Sequence, residues 1–169
     1  MDKELFRKTE GALYGYYKDL RRIEAVRKEI SILNKIIDDL DSNIRSCNVK
    51  IDPSQNGAGI GEKVQTSPDG TSYAEKEIIK GIDRMEKETA QRINKLFKLE
   101  CEERNLSYKI QKMNINIDML SDECKKFLDL KYNKQLGMRA LALEMNMSKN
   151  TAYSLRESIV NNIAMFRWN

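Results

Sequence analysis

A ladder of apolar residues at alternating four and three spacing constrains this chain more than any other feature. It runs through Ile78, Ile82, Met85, Thr89, Arg92, Leu96, Leu99, Glu103, Leu106, Ile110, Met113, Ile117 and Leu120. Thr89, Arg92 and Glu103 are its only polar positions. A narrow seam kept up over six heptads is the pattern of a coiled coil. At about 1.5 Å per residue such a helix would be roughly 65–70 Å long. It cannot bury its own seam, so it needs a partner helix. The three polar positions either set the register of that pairing or face solvent where the pairing drifts.

A matching seam lies upstream. Leu13, Tyr16, Leu20 and Ile23 recur at three and four spacing, and Val26, Ile30, Leu33, Ile37, Leu40 and Ile44 continue it after a phase shift like a stammer. The rest of that surface is charged, which predicts a long amphipathic helix over about 6–47. Between the two ladders, residues 48–72 hold both prolines, Pro53 and Pro68, with Asn56-Gly57 and Asp69-Gly70. These are turn formers, and they predict a loop. Its alternating Gly57, Gly59 and Gly61 lack the Gly-Lys-Ser/Thr ending of a phosphate loop. Ser72 with Glu75 fits a capping box for the second helix, over 73–120. Residues 1–120 therefore read as a stem. The first helix either folds back on the second as an antiparallel hairpin, or two copies of the chain pair.

After Leu120 the pattern changes. Ser121 can cap a helix that Phe127, Leu128, Leu130 and Tyr132 carry to about Asn133, with acidic groups in its first turn. Gly137 then supplies a turn. A short helix follows from Met138 to Asn146, with Leu141, Ala142 and Met145 facing inward. Met147 occupies the next turn, and Ser148 caps a longer helix from Lys149 to about Phe166. The spacing is that of a helix-turn-helix: a small residue, Ala142, at the crossing, an apolar residue in the turn, and an inward row Ala152, Leu155 and Ile159. The outward row opens with Lys149, Asn150, Tyr153, Ser154 and Arg156. In such a motif the start of the second helix enters the major groove. Asn and Arg can read base edges, while Lys and Ser suit phosphates. An ordinary three-helix bundle with a polar face fits the same spacing.

Charge and composition narrow the function classes. The net charge of +4 permits nucleic-acid binding without requiring it. The chain has no histidine, the commonest general base and transition-metal ligand, and no Cys-x-x-Cys pair. Cys47, Cys101 and Cys124 are widely spaced and odd in number, which fits free thiols rather than a disulfide framework. No catalytic residue, cofactor or metal is expected. The charged N-terminal stretch lacks an apolar signal core, and no run of about 18 apolar residues exists. These features predict a cytoplasmic protein without a membrane partner.

The run Leu120-Ser121-Asp122-Glu123, Phe127-Leu128-Asp129-Leu130-Lys131-Tyr132, Met138-Arg139-Ala140-Leu141-Ala142 and Met147-Ser148-Lys149-Asn150-Thr151-Ala152-Tyr153 resembles sigma-factor region 4. Here Ala140 stands for the usual acidic residue and Ala152 for Val. The likeness covers roughly the last fifty residues. No region-2-like segment precedes it, which argues against a complete sigma factor. In overall plan the chain is similar to phage late-gene transcription activators of the ArpU/RinA type, which share a Val-Gln-x-Ser-Pro-like element, here Val64-Gln65-Thr66-Ser67-Pro68. The resemblance implies an all-α regulator in a bacterial host cell that binds double-stranded promoter DNA and RNA polymerase. On this reading residues 121–169 are the DNA-binding module. Its candidate contacts are Arg139, Ser148, Lys149, Asn150, Thr151, Tyr153, Ser154 and Arg156. A single module contacts few base pairs, so a homo-oligomer, a dimer, is expected. Two other functions fit: the DNA-recognition small subunit of a phage packaging terminase, and a coiled-coil adaptor that binds protein.

Overall fold

The protein is all-α in a computed structural model. The structure describes residues 2–49 and 73–168, with side chains described for 2–49 and 75–166. The loop expected at 48–72 lies almost wholly outside the described residues, together with Ser72 of the capping box and the Val64–Pro68 element. Helix α1 spans Lys3–Arg45, α2 Tyr73–Asp118, α3 Asp122–Leu128, α4 Met138–Glu144 and α5 Lys149–Trp168. One π-helical turn, Asp129–Asn133, extends α3. Among the described residues no helix is long and apolar enough to cross a membrane.

Two compact units divide the chain. One joins Met1–Arg27 to Glu102–Asn169; the other is Lys28–Cys101. The division expected from sequence fell at 120/121. In the structure residues 121–169 instead share a core with the first turns of α1 and the last turns of α2: Leu13, Tyr17, Met113 and Ile117 pack in one cluster with Phe127, Leu128, Tyr132, Leu141, Ile159 and Ile163. Burying large apolar side chains in this way stabilises by about 1.5–3 kcal/mol each.

Within the first unit α1 and α2 run antiparallel. Tyr16 donates to Asn114 at 2.6 Å, and the Arg22 guanidinium grips both oxygens of Glu102 at 2.7 and 3.0 Å. Leu106, Ile110, Met113, Ile117 and Leu120 of the α2 ladder are all buried here. Glu103, a polar rung, pairs with Arg27 of α1 at 2.6 Å.

The second unit is also an antiparallel pair of helices, with Lys95 bonded to Glu29 at 2.6 Å. It is thinner. Leu33 and Leu99 are buried, whereas Ile78, Ile82, Met85 and Leu96 are only half-buried. Thr89 turns its hydroxyl back onto the Met85 carbonyl at 2.8 Å, and Arg92 pairs with Glu88 one turn earlier. Both polar rungs are thus satisfied within their own helix. Gly81 admits the Val49 side chain, with whose Cγ1 any added Cβ would collide.

Helix α1 ends in a Schellman motif: Cys47 takes φ 50°, its N–H meets the Ile44 carbonyl at 3.1 Å, and the Asn48 N–H meets Asn43 at 2.9 Å. The C-terminal helices show two departures from expectation. The helix expected to reach Asn133 widens to a π turn after Leu128. The reversal assigned to Gly137 falls two residues earlier, at Gln135, which takes φ 56°. Gly137 itself has φ −66° and is the N-cap of α4.

Candidate nucleic-acid interface

Helices α4 and α5 are joined by a turn that holds Met147 as expected, but α4 stops at Glu144, two residues before the Asn146 end expected from sequence. The Asn146 N–H bonds the Leu143 carbonyl at 3.1 Å, and the Met147 N–H bonds Ala142 at 2.9 Å. Asn146 takes φ 52°, a left-handed conformation that Asn tolerates better than most residues. The result is a second Schellman motif, closed by Met147 over Ala142. Ser148 then starts α5. Its Oγ accepts the Thr151 N–H at 3.0 Å and lies 2.7 Å from the Thr151 hydroxyl. That bond satisfies one of the amides a helix start leaves open.

The inward row of α5 is Ala152, Ile159, Val160, Ile163 and Ala164, all buried. Leu141 and Ala142 of α4 join the same core as Ala152. Small residues on both helices let their backbones approach. Packing on this side leaves the opposite side of α5 open. Lys149, Asn150, Tyr153 and Ser154 are exposed there, with Ser148 and Thr151 at the cap and Arg139 exposed on α4. The Lys149 ammonium stands 5.8 Å from the centre of the Tyr153 ring. Six candidate positions thus lie together at the start of α5, and Arg139 sits on the preceding helix.

Arg156 is placed differently. Its Nε lies 2.7 Å from the Glu10 carboxylate, and its guanidinium sits 5.2 Å from the Phe6 ring centre. The Tyr132 hydroxyl donates to the same Glu10 oxygen at 3.0 Å. Side-chain exposure is 25% for Arg156 and 15% for Glu10, so this pair is largely shielded from water. Burial and then the neighbouring Glu10 charge push the Tyr132 phenol well above its ordinary value. Arg156 therefore anchors α5 to α1, with its Nε and one Nη engaged on Glu10.

Sequence reasoning missed Glu10 because its partners lie 122 and 146 residues away. A signal was present: Glu10 stands between Phe6 and Leu13 at four and three spacing, a carboxylate on an otherwise apolar row. It also missed Lys3 and Arg7, one turn apart on the exposed side of α1.

These features define an all-α protein whose short α4 and longer, side-chain-capped α5 present a polar row over a closed core. No protein-family model, no curated protein and no solved structure matches the chain.

Proposed function

We propose that the chain binds double-stranded DNA, with α4 and α5 acting as a helix-turn-helix and the start of α5 entering the major groove. The observation that carries this reading is the exposed row Lys149, Asn150, Tyr153 and Ser154 on the first turns of a Ser148-capped helix whose other side is buried. Asn offers a donor and an acceptor together, the pair an adenine edge requires, and Lys149 and Ser154 suit phosphates. The resemblance to sigma region 4 and to ArpU/RinA-type activators supports a transcriptional regulator in a phage or prophage, with RNA polymerase as a further partner.

A dimer is part of the same proposal. Tyr108, Ile115 and Met119 lie at seven- and four-residue spacing on one face of α2 within the first unit, each about 60–67% exposed. That face suits a second copy, which would set two modules on two half-sites.

Selection of bound fragments from random duplexes tests the reading. A defined motif is expected, and Asn150→Ala should cost about 1–3 kcal/mol on it and relax preference at one base pair. Equal affinity for all sequences before and after the change removes the base-reading role. Sedimentation at micromolar concentration, with and without DNA, reads the dimer; a monomer in both, with one short footprint, overturns it.

A further inference from the structure

A cleft opens beside the candidate face, inside the first unit. Lys3, Phe6 and Arg7 of α1 and Tyr153, Arg156 and Glu157 of α5 line it, around a volume of about 320 Å³. Its three charged groups other than Arg156 divide unevenly: Lys3 and Arg7 stand against the single carboxylate of Glu157, because Arg156 is neutralised by Glu10. Neither Lys3 nor Arg7 has an ion-pair partner among the described residues. Both are exposed and four residues apart on one helix face. The wall that carries them is tied to α5 by the Arg156 guanidinium, which lies over Phe6 and bonds Glu10. Tyr153 belongs to both regions: it lines the cleft, and its ring carries Lys149 at 5.8 Å.

We infer that the cleft seats the phosphate backbone of the same duplex, with Lys3 and Arg7 as phosphate contacts supplied by α1. The inference rests on the DNA-binding reading of α5 and extends it to a second element. Exposed Lys and Arg on a solvent-open wall hold phosphate by charge, with no demand on base sequence. A helix fixed beside the reading helix by a shielded ion pair would set the register of the protein on the duplex. Glu157 opposes the strand and limits the strength of the contact.

The test needs no knowledge of the target sequence, because phosphate contacts govern nonspecific binding. The full chain is titrated by fluorescence anisotropy against a mixed-sequence duplex across a salt series. Lys3→Ala/Arg7→Ala should lower the slope of log affinity against log salt by roughly 1.8, about 0.9 for each lost contact. Lys3→Arg/Arg7→Lys should keep the slope, and Glu157→Gln should tighten binding at low salt. Lys28→Ala/Lys35→Ala removes the same charge at exposed positions outside the cleft and should leave the slope near that of the unaltered chain. An equal loss in both alanine pairs is general electrostatics and overturns the cleft. An unchanged slope in Lys3→Ala/Arg7→Ala, with duplex binding intact, overturns the cleft and leaves the α5 reading standing. If the unaltered chain binds no duplex at all, the α5 reading fails first, and the cleft with it.

Discussion

At the scale of single residues, Glu10 does the most unexpected work. Its carboxylate receives the Arg156 guanidinium and the Tyr132 hydroxyl, which come from different parts of the chain. Removing it leaves a half-buried guanidinium and a buried phenol without their acceptor, and orphaned buried groups are costly. Glu10→Ala should therefore destabilise by about 2–3 kcal/mol in urea unfolding; an unmoved midpoint would show that solvent replaces the carboxylate freely. The tyrosines supply a second prediction, at high pH. Burial first, helped by nearby negative charge, raises the phenols of Tyr17 and Tyr132 above the ordinary 10.0. The unfolded chain then loses those protons before the folded one does. Their contribution is fully present below pH of about 10 and is lost as pH rises beyond it. Thermal melting followed from pH 8 to 12 should show a fall in Tm beginning near the ordinary phenol value, and Tyr17→Phe should flatten that fall.

At the scale of elements, long periodic helices were legible and short irregular turns were not. No rung of the α2 ladder from Ile78 to Leu120 is exposed, and neither is any rung of the α1 seam from Leu13 to Ile44. Many weak repeats of one spacing add to a strong signal. The depth of burial was not legible, because it depends on what packs around each rung. Leu96 is half-buried in the thin pair of the second unit, whereas Leu106 is buried in the first. Leu106→Ala should cost about 2–5 kcal/mol, and Leu96→Ala clearly less, since fewer atoms lose packing. Equal losses in chemical unfolding would contradict this difference in packing. The π turn escaped for another reason. Phe127, Leu128, Leu130 and Tyr132 are all buried. At about 100° per residue they would spread over roughly 200° of a straight α-helix, too wide for one face. The backbone widens instead: the Lys134 N–H reaches the Asp129 carbonyl five residues back. The cap at Ser148 and the left-handed residue at Asn146 are local chemistry. The first was read correctly and the second was not named, since its φ follows from where α4 stops.

At the scale of the molecule, the candidate DNA-binding face does not stand on residues 121–169 alone. Leu13 and Tyr17 from α1, with Met113 and Ile117 from α2, fill the core beneath it. A fragment of residues 121–169 should therefore lack a cooperative melt, while the full chain shows one. A sharp transition in the fragment would establish that its own helices suffice. The candidate site was legible as a row on one helix, from capping and periodicity. What lies under and beside that row was not, because it is assembled from α2 and from α1, whose residues lie more than a hundred positions away.

That assembly has a consequence for synthesis. Residues 1–27 leave the ribosome before α5 does, yet their apolar seam packs against side chains as late as Ile163. Until those appear, Leu13 and Tyr17 have no complete core, and the first unit cannot finish folding. The candidate surface is complete only once α5 has left the ribosome. An arrested translation product cut short before α5 would carry an open seam, the kind of exposed apolar stretch that chaperones bind and proteases find. Truncated copies should then be cleared rather than accumulate.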